Sequence, residues 1–214
     1  MLKECVIVGC GSHATSVISM IESATVNYSI IGLVDTAKTH NEAEEKSGYK
    51  VFTTLECLLV NSEDYLHLEC VVAIGNNKLR AEVFGKLKDK NFSLPSIISK
   101  HAFVDRTVVM GAGNVISHGV VINAKSTLGN NNIINSSSVI EHDCSLNDHN
   151  HIAPKAALCG GVKVSDQVMV GASTTVLPNV KIASGTTLGA GSVVTKTIHD
   201  IGKTYLGVPA RSCN

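Results

Sequence analysis

The chain has 214 residues, 44% of them hydrophobic, which is enough for one large or two small cored domains. Its 18 basic residues balance its 18 acidic ones, so no general field draws it to nucleic acid or an anionic membrane, and the aromatic signatures of RNA-binding modules are missing. No apolar run is long enough to span a bilayer, MLKECVIVGCGS enters a Gly-rich turn where a signal peptide would need a longer apolar core, and the seven cysteines contain no CxxC pair; the expectation is a cytoplasmic protein with neither a disulfide framework nor a zinc site.

In chain order, Cys5 to Val8 predicts a strand, Gly9-Cys10-Gly11-Ser12-His13 a turn, and the following residues an amphipathic helix with Val17, Ile18 and Ile21 inward. Backbone N–H groups of a Gly turn at a helix N-terminus point at an anion, which makes Gly9, Gly11, Ser12 and His13 candidates for holding a phosphate. His13 either contacts that phosphate or caps the turn. A second strand, Ile30 to Val34, ends at Asp35; a third, Cys70 to Ile74, ends in Gly75-Asn76-Asn77 and leads into a helix from about Lys78 to Lys90. Ligands of parallel sheets sit beyond strand C-termini, so Asp35, Gly75, Asn76 and Asn77 are expected to face the same crevice as the first turn. Only about a hundred residues precede the next element, room for one βαβαβ half, so a mononucleotide-sized ligand fits better than NAD. A tight turn that binds nothing is the alternative.

From Val104 to Val194, stepping by six, all sixteen residues are aliphatic. A period of six fits neither a 3.6-residue helix nor strand alternation. The residues two positions earlier, such as Ser126, Ser138, Ala156 and Thr174, are mostly small or β-branched. Short flat strands turning a corner every six residues place a large aliphatic side chain in a narrow interior, and three such sides close an 18-residue coil. Successive coils then stack as parallel strands about 4.8 Å apart, with residue n over residue n+18. Gly111, Gly129, Gly171 and Gly189 directly follow their aliphatic residues, where a turn or a close approach favours glycine.

Within this repeat, residues 135 to 144, NSSSVIEHDC, mix a base with acids. Ile140 points inward, so Glu141 points outward, and His142 and Asp143 fall at a corner. A carboxylate beside an imidazole orients it and raises its basicity, which suits a general base; a plain surface histidine on a turn is the other reading. His118, His142, His149 and His151 raise a metal site for consideration, but stacking by 18 puts His118 over Ser136 rather than over another histidine. From residue 151 onward Lys155, Lys163, Lys181, Lys196, Lys203 and Arg211 outnumber Asp166 and Asp200, a local basic excess suited to phosphates. Adding 18 to His142 gives Gly160, beside Gly161, and so a cleft with little side-chain obstruction.

SSVIEHDC with Asn135 seven before its histidine, AIGNNKLR, GCGSH and the terminal GVPAR together resemble the hexapeptide-repeat sugar acetyltransferases. The resemblance is to the N-acetyltransferases of nucleotide-linked 4-amino-sugars, those of the bacillosamine pathway in particular, with the sialic-acid O-acetyltransferases as close relatives. It implies an α/β class: an N-terminal βαβαβ nucleotide-binding domain over residues 1–100, then a left-handed parallel β-helix over 101–214 that binds acetyl-CoA and pairs into a homotrimer with shared active sites. It implies His142 as general base with Asp143 as its acid, the family's usual Glu leaving Glu141 as an alternative, and Asn135 as an active-site asparagine. His151 would lie near the thioester carbonyl. Acetyl-CoA would lie along His151, Gly160, Gly161, Lys163, Gly171, Pro178 and Arg211, and the nucleotide-sugar against Gly9, Gly11, Ser12, His13, Asp35, Gly75, Asn76 and Asn77. The expected reaction is N-acetylation of a 4-amino sugar, with UDP as the expected carrier and no metal. O-acetylation of a sialic-acid-like sugar, a GDP or dTDP carrier, and a non-catalytic β-helix scaffold are the alternatives.

Overall fold

The computed structural model describes residues 2–23, 28–36 and 45–213. The chain forms two compact units, Met1–Ile97 and Ile98–Asn214. In the first unit the elements run β1 (Lys3–Val8), α1 (Ser12–Ser23), β2 (Tyr28–Asp35), β3 (Glu45–Lys46), β4 (Tyr49–Thr54), α2 (Leu55–Val60), α3 (Ser62–Tyr65), β5 (Glu69–Val72) and α4 (Asn77–Asp89). The sheet order is β3-β4-β2-β1-β5, with β4, β2, β1 and β5 parallel and β3 antiparallel at the edge.

The central strands are apolar without alternation because both faces are covered. Cys5, Val6, Ile7 and Val8 are all fully buried. Helix α1 buries Ala14, Val17, Ile18, Met20 and Ile21, which includes the three residues expected to face inward. Val83, Phe84 and Leu87 of α4 pack with Leu58 of α2 against Val6, Val8, Val34 and Val72. The sheet has two strands more than a βαβαβ reading supplies, since β3 and β4 lie between Asp35 and Cys70. Along β4, Val51 is buried while Phe52 is exposed, too short an apolar pattern to stand out in the sequence.

The second unit is a parallel β-helix of two-residue strands on three faces. Face 1 carries Phe103–Val104, Val121–Ile122, Val139–Ile140, Ala157–Leu158, Thr175–Val176 and Val193–Val194; face 2 runs from Val109–Met110 to Lys181–Ile182; face 3 runs from Val115–Ile116 through His151–Ile152 to Thr187–Leu188. The register is n to n+18 throughout, as in Val121↔Val139↔Ala157 and Ile133↔His151↔Met169. Of the sixteen aliphatic positions, those from Ile116 to Val194 are 4% exposed or less; Val104 and Met110, in the first coil, are partly buried. Because neighbours above and below already fill the narrow core, Ile152→Val should cost about 0.5–1.5 kcal/mol of stability. Urea unfolding with an unchanged slope would show it.

Buried polar groups at one corner are satisfied by one another. Asn132 N–H donates to the Asn114 side-chain oxygen at 2.9 Å, Asn150 N–H to that of Asn132 at 2.8 Å, and Val168 N–H to that of Asn150 at 2.8 Å. Each corner from Gly113 to Gly191 holds one residue at left-handed φ, between 56° and 72°, again every six residues. Gly111, Gly129, Gly171 and Gly189 are not those residues. Their hydrogen side chains make room for the next coil: a Cβ on Gly171 would stand 2.5 Å from Ala190 N and 2.6 Å from Leu188 O. Close approach, and not a turn angle, accounts for them.

Candidate functional site

In the first unit, Gly9, Gly11, Ser12, His13, Gly75 and Asn76 meet around a pocket of about 320 Å³ at the C-terminal ends of β1 and β5, with Cys10, Thr36 and Leu79. Gly9 has φ 118°, and a Cβ there would come within 3.0 Å of Ala73 O and Ile74 Cγ1, so the fold itself demands glycine. Gly11 is different: a Cβ would meet nothing within 4 Å. Its bareness leaves space on the pocket wall instead of serving packing. Asp35 ends β2 and is nearly buried, but neither it nor Asn77 lines this pocket.

The Gly75–Asn77 turn is held from below by Arg80, which sequence reasoning passed over as part of the helix from about Lys78 to Lys90. Its guanidinium is buried and donates to Ile74 O at 3.1 Å, Gly75 O at 3.2 Å and Asn77 Oδ1 at 2.8 Å. Burial pulls it down to about 9, which still leaves it cationic at neutral pH. Asn76 caps α4 by accepting Leu79 N–H at 3.0 Å. The Oδ1 atoms of both asparagines are therefore engaged in building the turn.

In the β-helix, His142 and Asp143 stand at the edge between faces 1 and 2. His142 Nδ1 lies 2.7 Å from Asp143 Oδ2, and both side chains are exposed. A carboxylate only accepts, so Nδ1 carries a hydrogen, and in the neutral ring the lone pair is on Nε2. The pair is aimed by the backbone: Asp143 sits at φ 59°, its N–H donates to Ala124 O at 3.0 Å, and Gly161 N–H donates to His142 O at 3.0 Å. The coils before and after thus lock the corner. Glu141, the alternative acid, is occupied elsewhere, accepting from Asn123 Nδ2 at 2.9 Å. Asn123 was legible in principle, since it lies 18 residues before Glu141.

The imidazole rests on Gly160, where a Cβ would stand 2.8 Å from Cε1 and Nε2. Gly161, at φ 72°, is the left-handed residue of its corner. Pro178 lies on the same edge one coil on, Lys163 is exposed on face 2, and Arg211 is exposed in the terminal strand Arg211–Cys213, which pairs antiparallel with Thr204–Leu206. Cys144 is 1% exposed and its thiol is pushed up to about 11 by burial, with Sγ donating to Cys159 O at 3.2 Å, so it is no nucleophile at neutral pH.

Asn135 and His151 form a second pair, on the edge between faces 3 and 1 and the adjoining strand. Ser136 N–H donates to Asn135 Oδ1 at 2.8 Å, which fixes the amide and turns its Nδ2 toward His151 Nε2 at 3.3 Å. That places the ring hydrogen of His151 on Nδ1. Gly171 shares this edge two coils beyond Asn135. The residues proposed from the sequence as one site therefore lie on two different edges of a single prism: His142, Asp143, Gly160, Gly161 and Pro178 on one, Asn135, His151 and Gly171 on the other. His149, at φ 63°, lies with Nδ1 2.9 Å from Asn131 Nδ2 on the third edge. Among the described residues no group of three or more His, Cys, Asp or Glu could hold a metal ion, and no helix is long and apolar enough to cross a membrane.

Residues 4–87 match the PglD N-terminal domain family, and residues 161–196 the bacterial transferase hexapeptide family. PerB from Caulobacter crescentus, solved with CoA and GDP-perosamine, is 33% identical over 100% of this chain and 99% of its own, with a TM-score of 0.88. Variants of the same Caulobacter perosamine N-acetyltransferase with one histidine replaced by asparagine or alanine were also solved with CoA and GDP-perosamine. The acetyltransferase domain of PglB from Neisseria gonorrhoeae is 29% identical over 99% of this chain and 100% of its own, with a TM-score of 0.91. WeeI from Acinetobacter baumannii, at 19% identity over 98% of this chain and 100% of its own with a TM-score of 0.82, shares the fold. No curated protein sequence matches the chain.

Proposed function

The chain belongs to the hexapeptide-repeat, left-handed β-helix family of sugar acetyltransferases, and from that premise we propose that it acetylates the 4-amino group of a UDP-linked amino-deoxy sugar for glycan or O-antigen assembly. It is an acetyl-CoA-dependent N-acetyltransferase of a nucleotide-linked amino sugar. In this reading the unit Met1–Ile97 holds the nucleotide-sugar, the unit Ile98–Asn214 holds acetyl-CoA, and the protein works in the cytoplasm.

The observation that carries the mechanism is the His142 imidazole with its Nδ1 2.7 Å from the Asp143 carboxylate, which in the neutral ring leaves Nε2 to accept a proton. The sugar amine attacks the thioester carbonyl carbon, and His142 Nε2 takes the amine proton as the C–N bond forms. A hydrogen-bond donor at His151 or a backbone N–H receives the charge on the carbonyl oxygen. Collapse breaks the C–S bond and the departing CoA thiolate recovers the proton. No acyl-enzyme is needed, in keeping with the inert Cys144.

Two edges of one prism cannot enclose coenzyme A, but His142 on one chain can meet Asn135 and His151 of a neighbour if three copies repeat the contact. The active form in this reading is a homotrimer. Light scattering that returned a monomer mass with full activity would remove the shared site.

The carrier is taken as UDP because GCGSH, AIGNNKLR and SSVIEHDC resemble the bacillosamine-pathway enzymes most. PerB, solved with GDP-perosamine, makes GDP the main competitor. A panel of UDP-, GDP- and dTDP-linked 4-amino sugars and a sialic acid, read by product mass, tests the reading. Turnover of hydroxyls alone would overturn N-acetylation, and preference for another nucleotide would overturn UDP. Because a Cβ on Gly11 meets nothing, Gly11→Val should fold normally yet raise the nucleotide-sugar KM about tenfold with acetyl-CoA KM unchanged, as steady-state kinetics on both substrates would show.

A further inference from the structure

The His142–Asp143 corner is clamped from inside the prism by a residue that has no part in the mechanism above. Ser126 lies one coil before Cys144 and is fully buried. Its hydroxyl donates to Glu141 O at 2.8 Å and accepts Cys144 N–H at 3.2 Å. The hydrogen and a lone pair of one hydroxyl are thus engaged by the backbone immediately before His142 and immediately after Asp143. The same coil donates from Asn123 Nδ2 to the Glu141 carboxylate and accepts Asp143 N–H at Ala124 O. Cys144 repeats half of the arrangement one coil on. Its Sγ donates to Cys159 O at 3.2 Å, beside Gly160, on which the His142 ring rests.

In the other coils this place is filled by valine. Stepping by 18, the column reads Val108, Ser126, Cys144, Val162 and Val180, with the valines and Cys144 packed in or against the β-helix core. Valine closes the corner wherever no imidazole is carried or seated, so the fold does not require a hydroxyl here. A valine also buries more apolar surface, whereas a buried hydroxyl must find partners to offset its own desolvation. The polar residues occur where the chemistry is: Ser126 grips the corner that carries His142, and Cys144 the one that seats its ring. We propose that Ser126 is a positioning residue for acetyl transfer, which by tying Glu141 O to Cys144 N–H holds the His142 imidazole in place over Gly160. This rests on the reading of His142 as the general base. Ser126 touches no substrate, and no proton moves through it.

The experiment introduces Ser126→Ala, Ser126→Val and Ser126→Cys into the full-length protein, the first two also in a His142→Ala background. Alanine is smaller than serine and valine fills this place in other coils, so the two cover a failure of either to fold. Both should lower kcat about tenfold, since misplacing a reacting group by a full ångström costs about 100-fold and the corner need shift only part of that. KM for the nucleotide-sugar and for acetyl-CoA should stay within about twofold of wild type. Ser126→Cys should lose no more than about threefold, because the thiol of the next coil already makes the corresponding bond to a carbonyl. Without the imidazole there is no ring to hold, so in the His142→Ala background the same changes should alter the residual rate by less than about twofold. A residue that only stabilises its coil would slow both backgrounds equally by lowering the folded fraction, and that result would overturn the proposal. Wild-type kcat in Ser126→Ala and Ser126→Val would overturn it too, whereas wild-type turnover in His142→Ala would overturn the general-base reading beneath it.

Discussion

His142→Ala is expected to lose about 100- to 10,000-fold in kcat, the usual contribution of a general base, while both substrates still bind. The imidazole is the only group at its edge with a carboxylate on one nitrogen and an accepting lone pair on the other among the described residues. His142→Asn, which keeps the polar outline but cannot take the proton, should be nearly as slow. Asp143→Asn should fall between these and wild type: asparagine accepts left-handed φ as readily as aspartate, so the corner stays intact while the carboxylate that fixes the tautomer is lost. An exposed hydrogen-bonded pair contributes little to stability, so circular dichroism melts should not move in step with rate. A corner histidine without a catalytic role predicts changes within a few-fold in all three, and near-normal turnover of His142→Ala would sink the mechanism even with the substrate class correct.

Gly160→Ala should reduce kcat on the order of 100-fold, as misplacing a reacting group by an ångström can, with almost no loss of stability. The added methyl would stand 2.8 Å from the His142 ring, and the ring is the far end of an exposed side chain that can rotate away at little cost. Gly161→Ala is the internal control. Its φ of 72° makes any side chain strained, so it should lower the melting temperature. Calorimetry and single-turnover kinetics on the two variants separate the cases. A Gly160→Ala enzyme that turned over at the wild-type rate would show that the ring's seat on Gly160 is not its working position.

How much of this could be read from the chain differs from element to element. The aliphatic series from Val104 to Val194 was plain because each coil buries its sixth residue by the same local rule, whatever the rest of the protein does. The n+18 stacking that follows placed Gly160 by His142 and would equally have placed Asn123 by Glu141. Strand β1, the Gly9–His13 turn and α1 were plain for a related reason: a fully buried parallel strand is apolar without interruption and a Gly-rich turn ends it. Between Asp35 and Cys70 the pattern was too weak, since β4 buries Val51 but leaves Phe52 exposed, and short edge elements carry little periodicity.

Sequence by itself thus determined the two-part architecture, the coil register and which residues stack over one another, because these depend on side-chain size and spacing along the chain. Tertiary structure alone decided the directions of individual polar atoms. Glu141 and Asp143 are both acids flanking His142, and only the cross-coil bond from Asn123 and the left-handed corner at residue 143 separate the one that points away from the one that holds Nδ1. The same holds for Asn76 and Asn77, whose turn is organised by the buried Arg80, and for the parting of His142 from Asn135 onto different edges. A hydrogen bond depends on distance and angle to a partner supplied by another coil, and nothing in the local pattern of residues encodes that partner.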